Sequence, residues 1–148
     1  MDDLDRSIIN IIQSDFPIAP RPYAEVAKRL DLPEEDILER VRALKEEGII
    51  RRIGASFNSR KLDFSSTLCA ARVPESKVEA FVKTVNRFPG VTHNYLRNSP
   101  YNVWFTFIAK TMDEIEESLE IIRQETGVVE IRNLPALRTF KIKVDFAL

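Results

Sequence analysis

The stretch Thr92-His93-Asn94-Tyr95-Leu96-Arg97 contains the only histidine of the chain, with a phenol and a guanidinium at alternate positions after it. In an extended strand successive side chains point to opposite faces, so His93, Tyr95 and Arg97 line one face, ~7 Å from each to the next, and Thr92, Asn94 and Leu96 line the other. Their chemistry is complementary. An imidazole exchanges protons near neutral pH, a phenol relays or orients, and a guanidinium grips a carboxylate through two parallel hydrogen bonds. Such a row suits a ligand that carries carboxylates and needs a proton. The plainer alternative is a histidine hydrogen-bonded at a subunit interface.

The rest of the composition limits what this row can belong to. With 148 residues, 44% of them hydrophobic, the chain can bury the core of one ordinary domain or two small ones. No apolar run approaches the ~18 residues that span a bilayer, and the start MDDLDRSII is acidic where a signal peptide is basic, which predicts a cytoplasmic protein with no membrane association. Cys69 stands alone in an apolar stretch, as a small buried hydrophobe does, so neither a disulfide nor a metal site is expected. Lys and Arg total 22 against 23 Asp and Glu, leaving no overall field to draw in a polyanion.

The elements that must position the row follow from periodicity. Leu4, Ile8, Ile11 and Ile12, then Tyr23, Val26, Ala27 and Leu30, fall at helical spacing on either side of the break FPIAPRP. A third helix has Pro33 at its first position, Ile37, Val41 and Leu44 on its inner stripe and Gly48 as its stop. IIRRIGASF, a turn at 58–61 and a further apolar stretch predict the two strands of a wing. Residues 1–62 therefore read as a winged helix-turn-helix domain. From residue 63 to 148 the order is STLCAARV as strand, a helix opened by a Ser76/Glu79 capping box, the hairpin VTHNYLR/YNVWFTFIA, a helix opened by Thr111/Glu114 and stopped by Gly127, and VVEIRNL with RTFKIKVDF as closing strands. The fold class is α+β, with a ferredoxin-like βαββαβ domain whose helices cover one sheet face only.

The hairpin has a predictable register. With a loop at Asn98 to Tyr101, Arg97 stands opposite Asn102, Tyr95 opposite Trp104 and His93 opposite Thr106, while Val103, Phe105 and Phe107 turn toward the helices. The face without helices then collects His, Tyr, Arg, Asn and Trp.

Winged helix first and ferredoxin-like domain second resembles the Lrp/AsnC family of transcription regulators, in which the second domain pairs with a copy and binds a small effector. The third helix argues against sequence-specific DNA binding: it opens with Glu34-Glu35-Asp36, and residues 1–62 carry 11 Lys and Arg against 12 Asp and Glu. Arg40, Arg42 and Lys45, and the cluster Arg51, Arg52, Arg60 and Lys61, keep a regulator as the alternative function, with a noncatalytic tetrapyrrole or effector-binding module as another.

RRIGASFNSRKL at 51–62, THNYLR at 92–97, YNVWFTF at 101–107 and LPALRTFKIKVDF at 134–146 are similar to the siroheme decarboxylases, which keep the Lrp/AsnC architecture. The resemblance implies a non-oxidative carboxy-lyase that removes the carboxyl groups of two acetate side chains of siroheme to give didecarboxysiroheme, in an alternative route to heme. Siroheme is then the substrate, with no further cofactor. His93, Tyr95 and Arg97 become the catalytic candidates; Arg51, Arg52, Phe57, Tyr101, Trp104, Arg138 and Lys141 are candidates to bind carboxylates or wall the flat ring. Members of the family often pair two related subunits, one with a histidine on the wing that reaches the iron. The wing here, Phe57-Asn58-Ser59-Arg60-Lys61, has none and is followed by Asp63 where a glycine is expected. This resembles the AhbA type and implies a heterodimer with a homologous, AhbB-type subunit.

Overall fold

The computed structural model describes residues 1–55, 57–141 and 146. It divides into two compact units, Met1–Ala55 with the end of the chain, and Ser56–Phe140. Among the described residues no helix is long and apolar enough to cross a membrane.

The first unit holds α1 (Asp3–Ser14), α2 (Pro22–Leu30) and α3 (Glu34–Glu46). Asp2 caps α1 in a capping box, accepting from Asp5 N at 2.9 Å while Asp5 Oδ2 accepts from Asp2 N at 2.8 Å. That box satisfies two of the backbone groups a helix end leaves open. Pro22 occupies the first turn of α2, where its missing N–H costs nothing. Pro33, expected inside α3, sits one position earlier as its N-cap with extended ψ, so the helix opens on Glu34. Ile8, Val26, Ile37, Val41, Leu44 and Ile50 form the core between the three helices, each fully buried aliphatic chain contributing about 1.5–3 kcal/mol. Gly48 takes φ 74° after α3, as a left-handed helix stop requires.

The wing differs from expectation. Among the described residues no strand forms between Gly48 and Ser65; the expected turn is present, as a 3₁₀ turn at Ser59–Leu62 capped by Asn58 Oδ1, which accepts from Lys61 N at 3.4 Å. A charged turn whose side chain bonds its own backbone has an alternative to pairing as a strand. Asp63 closes it at φ 57°, a left-handed conformation that explains why glycine suits this position.

The second unit is a four-stranded antiparallel sheet in the order β2-β3-β1-β4, from β1 (Ser65–Ala71), β2 (Val91–Leu96), β3 (Val103–Ala109) and β4 (Ile131–Pro135). Its helices, α4 (Val78–Val85) and α5 (Met112–Thr126), pack Phe81, Val85, Ile115, Leu119 and Ile122 against Cys69, Ala71, Val103, Phe105 and Phe107. Thr111 caps α5, accepting from Glu114 N at 3.1 Å, and Gly127 ends it at φ 65°. The Ser76/Glu79 capping box does not form: Glu75–Lys77 is a 3₁₀ turn, with Lys77 N donating to Pro74 O at 2.8 Å, and α4 starts after it. Proline at 74 begins the turn early and moves Ser76 off the cap position. Gly90 approaches β3 so closely that a Cβ would lie 2.2 Å from the Ile108 carbonyl oxygen, and Ile108 N donates to Gly90 O at 2.9 Å. The expected closing strand RTFKIKVDF is not a strand over 138–141, and residues 142–145 of it lie outside the described residues. Phe146 exchanges two hydrogen bonds with the Gln13 side chain, at 2.8 and 3.0 Å.

Candidate active site

The hairpin has the register its sequence predicts. His93 pairs with Thr106 and Tyr95 with Trp104, and Arg97 N donates to Asn102 O at 2.7 Å. Alternation therefore turns Val103, Phe105 and Phe107 into the core and His93, Tyr95 and Arg97 onto the face that no helix covers. Across this face β1 and β4 extend two rows: His93, Thr106, Leu68 and Leu134 in one, Tyr95, Trp104, Ala70 and Arg132 in the other. These positions hold an imidazole and a guanidinium, with Arg97 beside them, and no carboxylate.

Thr92 departs from simple alternation. A bulge between Val91 and His93 brings its hydroxyl to 3.1 Å from His93 Nδ1 and 2.6 Å from the Thr106 hydroxyl, itself 3.3 Å from Nδ1. An extra residue in one strand re-aims its neighbours, so Thr92 joins His93 instead of facing away with Asn94. Among the described residues nothing bonds Nε2. The Tyr95 ring stacks on the imidazole at 6.1 Å between centroids, and Arg97 Cζ lies 5.8 Å from the Tyr95 centroid. The row is thus in mutual contact. It borders an open concavity of about 300 Å³ lined by Leu68, His93, Tyr95, Arg97, Trp104, Phe105 and Thr106.

The other candidates are distributed elsewhere. Tyr101 is not beside His93: its carbonyl accepts from Trp104 Nε1 at 2.6 Å, and its hydroxyl accepts from Arg132 Nε at 2.7 Å. Arg138 lies over the Phe140 ring, 4.9 Å from its centroid, and neither Arg138 nor the exposed Phe57 lines the concavity. Arg51, Arg52 and Lys141 belong to the first unit, where all three are exposed and Arg52 donates to the Ala55 carbonyl at 3.4 Å. Arg132 escaped the sequence reading. The strand VVEIRNL was visible, but the face its arginine takes depends on pairing with β1, which no local pattern records. Cys69 is buried in the core, where desolvation pushes its thiol up to about 12 and keeps it protonated.

The architecture, a helix-turn-helix unit followed by a ferredoxin-like sheet, is that of AsnC-like proteins. Residues 61–141 match the AsnC-like ligand binding domain, and residues 5–51 match the siroheme decarboxylase NirDL-like HTH domain. Escherichia coli AsnC shares the fold with a TM-score of 0.78 at 20% identity, over 98% of this chain and 97% of that one. A siroheme decarboxylase alpha subunit of Desulfovibrio desulfuricans is 57% identical over 146 residues, 99% of this chain and 84% of the relative. The crystal structure of the siroheme decarboxylase NirDL in co-complex with an iron-uroporphyrin III analogue has a TM-score of 0.67 and 30% identity, over 94% of this chain and 47% of that one. The chain belongs to the siroheme decarboxylase subunit family.

Proposed function

We propose that this chain is one subunit of a siroheme decarboxylase, which removes the carboxyl groups of two acetate side chains without an oxidant. The observation that carries this reading is the row His93, Tyr95 and Arg97 on a sheet face whose two central rows hold no carboxylate. Loss of carbon dioxide from an acetate breaks its bond to the methylene carbon and leaves the electron pair there. The conjugated ring spreads that charge, and one proton added to the carbon completes a methyl group. Arg97 holds a carboxylate by paired hydrogen bonds. His93 delivers or positions the proton: the Thr92 and Thr106 hydroxyls lie 3.1 and 3.3 Å from Nδ1, and when one of them donates to that nitrogen the ring proton is on Nε2. Trp104 and Leu68 supply an apolar floor for the flat ring. The reaction needs no cofactor besides its substrate.

A homologous subunit completes the site. The concavity, about 300 Å³, is at the small end of ligand pockets and holds only part of a tetrapyrrole, so further walls come from a partner. The single imidazole of this chain, His93, is assigned to the proton; an imidazole on the iron comes from the partner's wing. The helix-turn-helix serves as scaffold and does not read DNA. Glu34 is paired with Arg21, and Arg40 is occupied by Asp2 and Asp5 at 2.8 Å each, so α3 meets a phosphate with Glu35 and Asp36 forward and its central arginine already neutralised.

The test is anaerobic incubation with siroheme, with and without a wing-histidine subunit, followed by mass analysis. Loss of two carboxyl groups per siroheme in the complex is the expected result. Unchanged siroheme in a correctly assembled complex refutes the assignment.

A further inference from the structure

We infer that Arg132 binds a second carboxylate of the substrate, at the margin of the sheet opposite Arg97. The inference rests on siroheme being the substrate and names the residue that grips its far rim. Tyr95, Trp104, Ala70 and Arg132 share one level across β2, β3, β1 and β4. Three interstrand steps separate the outer two, about 14 Å at the usual strand spacing. That span is on the scale of a flat tetrapyrrole with its rim substituents. Between the margins lies the half-buried Trp104 ring, a platform against which a planar ring can rest, while Ala70 is buried below the accessible surface.

The state of the guanidinium supports a binding role. Arg72, Arg87 and Arg123 of the same unit pair with Glu130, Glu125 and Glu120. Arg132 has no carboxylate partner among the described residues. It is held by one tyrosine: Nε donates to the Tyr101 hydroxyl at 2.7 Å, and Cζ lies 4.4 Å from the centroid of that ring. These contacts fix the plane of the guanidinium and engage Nε. Both terminal nitrogens remain without a partner among the described residues, in the geometry that takes a carboxylate through two bonds. Arg97 is arranged alike over Tyr95, 5.8 Å from its centroid. Tyr101 also accepts from Trp104 Nε1 at 2.6 Å, so one residue positions both the ring platform and the far cation.

The experiment titrates siroheme into the assembled two-subunit complex by absorbance, using the wild type, Arg132→Gln, Arg132→Lys and Tyr101→Phe. Arg132→Gln is expected to raise Kd about tenfold or more, Arg132→Lys to recover part of the loss, and Tyr101→Phe to fall between them. The methyl ester of siroheme is expected to bind wild type and Arg132→Gln alike, an equality that a purely structural arginine does not produce. Should Arg132→Gln lower the melting temperature, Arg132→Lys and Tyr101→Phe decide at unchanged stability. Siroheme affinity within about twofold of wild type in the folded variants, with decarboxylation intact, overturns the role of Arg132 and leaves the enzymatic reading standing. A wild-type complex that neither binds nor decarboxylates siroheme overturns both.

Discussion

His93, Tyr95 and Arg97 act through different stages of one reaction, and substitution separates them. His93→Ala is expected to slow turnover about 10²-fold with siroheme affinity nearly unchanged, because a proton donor acts mainly in the transition state. Arg97→Ala is expected to weaken siroheme binding about tenfold as well, since a charged hydrogen bond to the ground state is lost. Turnover, affinity and melting temperature measured on the same preparations check this; wild-type turnover in His93→Ala makes the histidine structural. Cys69, with its thiol pushed up to about 12 by burial, is expected to resist alkylation until the fold opens, as mass measurement across a denaturant series would show. The row was legible from sequence because period-two alternation is local. Thr92 was misplaced because a bulge breaks alternation without altering composition, and Arg132 was missed because its face is set by β1, some sixty residues earlier in the chain.

The helices and strands themselves were read from their stripes, and the core positions Ile37, Val41, Leu44, Phe81, Phe105, Ile115 and Leu119 lie where periodicity places them. What failed were short segments whose backbone has competing options. The expected turn at 58–61 forms as a 3₁₀ turn capped by Asn58, but the wing strands beside it do not form, and Pro74 starts a 3₁₀ turn before α4. At the start of α1 the competition is won by charge. The Asp2 carboxylate, held at about 2 against an ordinary 3.8, accepts first from the Asp5 backbone and then from Arg40, which ties α1 to α3. A carboxyl group depressed by folding contributes stability above its unfolded value and loses it as pH falls through its folded value. The melting temperature of Asp2→Ala is therefore expected to lie below wild type at neutral pH, and the gap to close as pH falls from 3.8 to about 2. A gap that stays constant across this range would mean that the charge contributes nothing.

One sheet face lacks helices, and its concavity is too small for the substrate proposed. Co-expression with the homologous subunit is accordingly expected to give a 1:1 complex by native mass measurement, and fully active homodimers would refute the pairing. The strand order has a kinetic consequence. β2 and β3 are joined by a short loop, whereas β1 must find β3 some forty residues later and β4 more than sixty later. Closing long loops costs entropy before any contact rewards it, so local pairings lead and distant ones follow. The hairpin that carries His93, Tyr95 and Arg97 is expected to form on the rising side of the folding barrier, and the β1–β4 ladder that sets Arg132 on the falling side. Destabilising the hairpin at Val103→Ala should mainly slow refolding, and destabilising Ile131→Val should mainly speed unfolding, as stopped-flow chevrons would show. One margin of the sheet would then be shaped before the other, and the nascent protein would carry half of its ligand-facing surface while the other half is still unfolded.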